Sequence, residues 1–138
     1  MKISKEFIWE MSHRISEHKG LCKNIHGHTY KMAVKLKGEP AEDGMLLDYY
    51  DMAIIVDPLV DELNHAFLVE KKDKVMLDFL IENEFKYKVI DKASTAENIS
   101  EMMIERLMPE FKKFPNLSSM KIRIYETPDT YAETKTDF

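Results

Sequence analysis

The chain has 138 residues, of which 44% are hydrophobic and 33% are charged, and its formal net charge is −5. These values are typical of one globular domain, which we expect to cover residues 1–138, and no stretch approaches the roughly 20 apolar residues that span a bilayer. A negative charge without a long basic cluster argues against a nucleic-acid-binding surface. The single cysteine excludes a disulfide within the chain and fits a reducing compartment. We therefore expect a soluble cytoplasmic protein without a membrane or nucleic-acid partner.

Two strands are predicted in the first third of the chain. Residues 2–11 alternate between apolar and polar side chains, and residues 30–37 do so strictly, which predicts a half-buried strand. His26 and His28 have the parity of the apolar positions in the second strand, so they would face its covered side if the strand begins early. His13 has the parity of the apolar positions in the first strand, although it lies in a segment whose polarity predicts a loop.

The middle of the chain predicts two helices and a short strand. From a candidate N-cap at Asp48, apolar residues recur at helical spacing as far as Leu63. Pro58 lies inside this helix and is expected to kink or divide it. Residues 73–84 predict a shorter helix, and residues 86–90 a short strand.

The last third predicts one helix and two strands. Ser94-Thr-Ala-Glu97 has the form of a capping box, so a helix is expected to begin there and to end near Pro109. Residues 120–125 alternate as a strand, and a short final strand is expected at 131–135. The resulting order predicts an α+β fold, with the helices gathered on one face of an antiparallel sheet.

A His-Gly-His triplet is the strongest chemical signal in the chain. Side chains two residues apart on a strand point the same way, so His26 and His28 would supply two of the three ligands of an open zinc site. The third ligand would be His13, His18 or His65. Parity and position favour His13, whereas His18 lies in a polar loop and a histidine such as His65, after a helix, is often simply packed.

Cys22 lies four residues before the triplet and has three interpretations. A lone cysteine is most often a small buried hydrophobic side chain. A polar loop, the adjacent Lys23 and a nearby metal would instead favour a reactive thiolate. As a fourth ligand, Cys22 would make the zinc site closed and structural.

Taken together, these segments resemble the family of 6-pyruvoyl- and 6-carboxy-tetrahydropterin synthases over essentially the whole chain. The motifs that carry the resemblance are Phe7 with Ser12-His13-Arg14, Cys22 with His26-Gly27-His28 and Tyr30, Gly44-Met45 with Asp48-Tyr49, Leu63 with His65 and Leu68, Thr95-Ala96-Glu97-Asn98, and Tyr125-Glu126-Thr127. The short spacing between Cys22 and His26 resembles the 6-carboxy branch.

The resemblance implies the tunnelling fold, a ββααββ unit whose sheets join edge to edge. It implies trimeric β-barrels that stack in pairs as a homohexamer, with an active site between subunits. Residues 70–92 form a longer segment than in compact members of the family, and we expect an extra helix there on the outside of the barrel.

The same resemblance implies roles for individual residues. His13, His26 and His28 would bind Zn²⁺. Cys22 would act as a general base, with His65 as its acid–base partner.

The implied substrate is 7,8-dihydroneopterin triphosphate, a small-molecule pterin. Glu126 would pair with the N–H edge of the pterin, while Thr127, Thr95 and Glu97 are weaker candidates for pterin contacts. Asn64 stands where the family commonly has an aspartate beside the catalytic histidine, so the proton relay lacks its usual charge.

The implied reaction is that of a carbon–carbon lyase. Loss of triphosphate and acetaldehyde would yield 6-carboxy-5,6,7,8-tetrahydropterin for queuosine (7-deazaguanine) synthesis. The alternatives are a 6-pyruvoyl-tetrahydropterin synthase or related side-chain lyase, and a non-catalytic protein that binds zinc and pterin.

Overall fold

A computed structural model describes all 138 residues, and its order of elements confirms an α+β fold. The elements are β1 (Lys2–His13), β2 (His26–Gly38), α1 (Tyr49–Leu63), β3 (Ala66–Glu70), α2 (Lys74–Glu82), β4 (Tyr87–Ile90), α3 (Ala96–Phe111), β5 (Leu117–Thr127) and β6 (Thr130–Asp137). A single 3₁₀ turn, Leu21–Lys23, lies between β1 and β2. None of the helices has the length and apolar character needed to cross a membrane.

The six strands form one mixed sheet in the order β4-β3-β1-β2-β5-β6. The neighbouring pairs β1–β2, β2–β5 and β5–β6 are antiparallel, whereas β3 runs parallel to both β1 and β4. The prediction of a purely antiparallel sheet is therefore wrong. The sequence did not predict β3, because all five of its residues are buried. A strand that is covered on both faces does not alternate between apolar and polar residues.

The main core lies between one face of the sheet and helices α1 and α3. Alternation places Tyr30, Met32 and Val34 on that face, and each of them is fully buried. The opposite face of β1, β2, β5 and β6 has no helix packed on it and is mostly polar. We refer to it below as the helix-free face.

Helix α2 packs on the opposite side of the sheet from α1 and α3. On β3, Leu68 joins the main core, while its neighbours Phe67 and Val69 point the other way and pack against Met76 and Leu80 of α2. The expectation that all helices share one face is thus wrong for α2. The cause is again β3, which presents apolar side chains on both faces.

Neither proline ends its helix. Helix α1 is continuous through Pro58, and α3 extends past Pro109. A helical proline leaves the carbonyl four residues earlier without an N–H donor. Those carbonyls belong to Ile54 and Glu105, both exposed residues, so water can satisfy them.

Candidate metal centre

The pairing of β1 with β2 brings three histidines together on the core face, at one end of the sheet. His13 lies directly opposite His26, and Met11 lies opposite His28. The ring centroids are 4.6 Å apart for His13–His26, 5.2 Å for His13–His28 and 5.1 Å for His26–His28. One ring nitrogen from each histidine lies within 4.8 Å of the other two, which is the spacing of ligands around one ion.

Backbone carbonyls hold two of the rings at Nδ1, which leaves Nε2 of His26 available and Nε2 of His13 with only a long 3.4 Å contact to the Tyr30 hydroxyl. Nδ1 of His13 donates to the carbonyl oxygen of Ser94 at 2.8 Å, and Nδ1 of His26 donates to that of Asn24 at 2.7 Å. A carbonyl can only accept, so these contacts fix the proton on Nδ1 in both rings. Nε2 of His28 is buried and has no hydrogen-bond partner, which is costly unless a ligand supplies one. Three imidazoles arranged in this way fit a zinc-type divalent ion.

The environment keeps His13 and His28 neutral. The pKa of His13 is lowered to about 4, chiefly by burial and also by the neighbouring His26 and His28, while the hydrogen bond with the Ser94 carbonyl opposes the shift. Burial, followed by the proximity of His26, also lowers the pKa of His28. A metal binds only the neutral imidazole, so this environment favours coordination over protonation.

Glu126 extends the cluster from the end of β5. Its Oε1 lies 3.9 Å from Nε2 of His13 and accepts a long 3.4 Å hydrogen bond from the Tyr30 hydroxyl. Burial raises the pKa of Glu126, and the negative charge of Glu97 adds to that rise, although the Tyr30 hydrogen bond and His26 oppose it. A half-buried carboxylate of this kind gains when a ligand supplies N–H donors.

An open groove of about 450 Å³ connects Glu126 with His28. Thr127 also lines it and donates a 2.9 Å hydrogen bond to the Asp129 carboxylate. Its volume lies in the range of small-molecule sites.

His65 lies immediately after α1 with a left-handed backbone (φ +60°), and four contacts hold this segment. Its N–H donates to the Glu10 carbonyl at 2.7 Å, and its Nδ1 donates to Oδ1 of Asn64 at 3.0 Å. The same Oδ1 accepts from the Glu10 N–H at 3.1 Å. Lys86 donates to the Asn64 carbonyl at 2.6 Å. His65 and His28 line a common cavity of about 390 Å³.

Cys22 lies apart from the metal cluster within one chain. It belongs to the 3₁₀ turn and is half-buried, and its carbonyl accepts from the Ile15 N–H at 2.8 Å. The cluster of candidate metal ligands consists of the three histidines without the cysteine. The thiol forms no hydrogen bond, so the fold gives no support to a closed four-ligand site.

The capping box is displaced by one residue from its predicted position. Thr95, not Ser94, caps α3, and its hydroxyl accepts from the Asn98 N–H at 3.3 Å. Ser94 instead turns its carbonyl towards His13. Sequence reasoning missed this role of Ser94, and that of the Asn24 carbonyl, because a backbone contact has no residue signature. Glu97, in the first turn of α3, lies close enough to Glu126 to affect its ionisation.

Two comparisons of sequence give the same family. The family model described as 6-pyruvoyl tetrahydropterin synthase matches residues 2–137. The 6-carboxy-5,6,7,8-tetrahydropterin synthase of Haemophilus influenzae is 34% identical over 140 residues, which cover 96% of each chain. A protein of the same name from Rickettsia conorii is 26% identical and covers 96% of this chain and 99% of its own.

Comparison with solved structures shows the same fold. The 6-pyruvoyl tetrahydropterin synthase of Caenorhabditis elegans has a TM-score of 0.74 at 25% identity and covers 99% of this chain and 95% of its own. That of Plasmodium falciparum has a TM-score of 0.79 at 18% identity, with coverage of 100% and 98%. The arrangement of strands and helices is therefore shared along the whole chain.

Proposed function

Because the chain belongs to the 6-pyruvoyl tetrahydropterin synthase family, we propose that it is a zinc-dependent 6-carboxy-5,6,7,8-tetrahydropterin synthase. Its substrate would be 7,8-dihydroneopterin triphosphate, which loses triphosphate and acetaldehyde. The observation that carries the proposal is the cluster of three imidazoles whose ligand nitrogens lie within 4.8 Å of one another, with Nε2 of His28 buried without a hydrogen-bond partner. The product would enter queuosine (7-deazaguanine) synthesis.

The proposed metal ligands are His13, His26 and His28. When bound there, zinc acts as a Lewis acid and template for the hydroxyl groups of the substrate side chain. The carbonyls of Ser94 and Asn24 hold two of the rings with Nε2 towards the site. Their contribution is orientation, because a ring fixed at Nδ1 loses less entropy when it binds the metal.

Glu126 is the proposed anchor for the pterin ring. Its carboxylate can accept hydrogen bonds from both the amino group and the ring N–H of a pterin, a charge-assisted two-point contact. The groove of about 450 Å³ beside it offers the space. Thr127, Thr95 and Glu97 are proposed as further contacts to the same ring.

Cys22 and His65 are the proposed proton-transfer pair. Cys22, as thiolate, would remove a proton from a side-chain carbon, and His65 would return one to the substrate. Asn64 accepts a hydrogen bond from Nδ1 of His65, so proton transfer to and from the ring would take place at Nε2. Unlike an aspartate, Asn64 supplies no charge to stabilise the protonated ring. The Cys22 thiol forms no hydrogen bond to any histidine of its own chain, which favours a site completed by a second subunit.

The sheet edges support assembly into a ring. Within β1, only Met11–His13 pair with β3, so the outer edge of β1 from residue 2 to residue 9 has no strand partner. Strand β6 forms a second open edge of eight residues. Long unpaired edges are usually covered in native proteins. Edge-to-edge pairing of three copies would cover both of these edges. We include this trimeric barrel, stacked in pairs as a hexamer, in the proposal.

The decisive experiment identifies the products. The zinc-loaded protein is incubated with 7,8-dihydroneopterin triphosphate, and the pterin and the volatile product are identified by mass. Acetaldehyde with a 6-carboxy pterin supports the proposal. A retained three-carbon side chain would assign the 6-pyruvoyl activity instead, and absence of turnover would leave a zinc- and pterin-binding protein.

Two variants test the assigned roles. Cys22→Ala is expected to abolish turnover while zinc content stays unchanged, and full activity of this variant would contradict the base assignment. Glu126→Gln is expected to raise KM more than it lowers kcat, because it weakens binding of the ring in both ground and transition states. His18→Ala is the control for both, since the His18 ring forms its hydrogen bond with the Gly20 N–H in its own loop.

A further inference from the structure

The strand register aligns lysines across the helix-free face, far from the histidines. Lys35 on β2 lies directly opposite Lys121 on β5, which lies directly opposite Lys135 on β6. One step further along the strands, Lys2 on β1 lies directly opposite Lys37. Directly opposite residues share a face, so these five ammonium groups form one array in a chain whose net charge is −5.

Acidic side chains compensate only part of this charge. Glu133 is shared by three cations: Lys121 at 3.0 Å, Lys35 at 3.5 Å and Arg123 at 2.9 Å. One carboxylate therefore serves three positive charges, and an excess remains on β2 and β5.

The ammonium groups at the other end of the array have even fewer carboxylate partners. Asp137 pairs with Lys135 at 2.6 Å. Lys2 and Lys37 have no carboxylate within 4.0 Å, although they lie directly opposite each other. Like charges at directly opposite positions are destabilising, so the pair costs free energy in the absence of an anion.

The array lines a groove with the volume and donors for a ligand. The groove is about 750 Å³, and Ser4, Ser118 and Ser119 line it beside the five lysines. Along β2, Lys35 lies seven residues from His28, which corresponds to about 23 Å at the rise of a strand. The groove is therefore separate from the metal cluster.

We propose that this groove binds a small multivalent oxyanion of the oligophosphate class. Several ammonium groups and hydroxyls provide N–H and O–H donors to an ion with many acceptor oxygens, and the ion would neutralise the opposed lysines. Because the groove lies about 23 Å along β2 from His28, this site is separate from the one proposed for the pterin reaction.

The test is calorimetric titration of the zinc-loaded protein with inorganic triphosphate at constant ionic strength. The double variant Lys2→Gln, Lys37→Gln is compared with the control Lys71→Gln, Lys112→Gln, which removes two equally exposed lysines elsewhere. The groove variant is expected to bind triphosphate roughly tenfold more weakly, and the control within about twofold of the wild type. Contributions from zinc or from the pterin site are common to all three proteins and cancel. Equal affinity in the three proteins, or an equal loss in both variants, would overturn the proposal.

Thermal unfolding supplies an independent readout. At low ionic strength without triphosphate, Lys37→Gln is expected to raise the Tm, because it removes a like-charge pair, and to diminish the Tm increase that triphosphate causes. Lys71→Gln should change neither value. A Lys37→Gln variant with the wild-type response to triphosphate would contradict the site, whatever the outcome of the product assay.

Discussion

The carbonyl oxygen of Ser94 accepts a 2.8 Å hydrogen bond from Nδ1 of His13, although the two residues are 81 positions apart in the chain. The loop before α3 thereby orients a histidine at the end of β1. His13 is almost fully buried, so the contact is protected from water. The arrangement of the three histidines thus depends on both the strand register and the docking of α3 on the sheet.

Loss of any one cluster histidine is expected to abolish stoichiometric metal binding. His13→Ala, His26→Ala and His28→Ala each leave two imidazoles, too few to compete with water for a divalent ion. Elemental analysis of the purified variants measures the metal content per chain. His18→Ala should retain the wild-type content, and a His28→Ala variant with full content would exclude the buried Nε2 as a ligand.

Asn64→Asp is expected to preserve the fold and change the pH dependence of turnover. Aspartate can accept the same hydrogen bonds from the Glu10 N–H and from the His65 ring. Its charge stabilises the protonated imidazole, the form from which His65 would return a proton, so the alkaline limb of the kcat profile should move up by about one pH unit. Asn83→Asp adds the same charge at an exposed position after α2 and should leave the profile in place. Superimposable profiles for wild type and Asn64→Asp would exclude His65 as the titrating group.

His65→Gly is expected to be more stable than His65→Ala. The left-handed backbone of His65 costs a residue with a side chain about 1 kcal/mol relative to glycine. Denaturant unfolding of the two variants measures the difference in the free energy of unfolding. The same pair of substitutions at Glu105, in the middle of α3, should give the opposite sign, since glycine weakens a helix by about 1 kcal/mol relative to alanine.

Asp73 is expected to stabilise the fold in a pH-dependent way. It accepts two 2.7 Å hydrogen bonds from the Arg14 guanidinium and caps α2 through the Met76 N–H. The Arg14 hydrogen bond lowers the pKa of Asp73 below its ordinary value of 3.8. Its contribution is therefore complete above that value and is lost as the pH falls through the lowered pKa.

Asp73→Asn removes the charge but keeps an acceptor. At pH 7 we expect a loss of about 1–2 kcal/mol in the free energy of unfolding, and this difference from the wild type should shrink below about pH 3.8. Urea titrations at several pH values measure it. Glu110→Gln is the control, because its exposed pair with Lys113 should contribute less than about 1 kcal/mol. A difference independent of pH would assign the effect to the cap alone.

Local sequence patterns were sufficient to predict most of the helices and strands. The alternation in residues 30–37 predicted β2, and the N-cap at Asp48 is confirmed by a 2.8 Å hydrogen bond from the Tyr50 N–H. These features depend on neighbours within a few residues, which a sequence displays directly. The parity of His13, His26 and His28 could likewise be read, because a strand's period holds along its whole length.

Contacts between distant segments could not be predicted. Strand β3 has no alternation to reveal it, and its parallel pairing with β1 and β4 moves α2 to the other face of the sheet. The His13 ring and the Lys86 ammonium donate to the backbone carbonyls of Ser94 and Asn64, and every residue possesses such a carbonyl.

The sequence by itself identified the family through motifs along the whole chain, while strand parity put His26 and His28 on one face and favoured His13 as their partner. Only the tertiary structure decided that one ring nitrogen from each of His13, His26 and His28 lies within 4.8 Å of the others, that Asn64 fixes the His65 ring, and that five lysines gather in a separate groove. The physical reason is that register and docking are set by burial and hydrogen bonds between segments far apart in the chain.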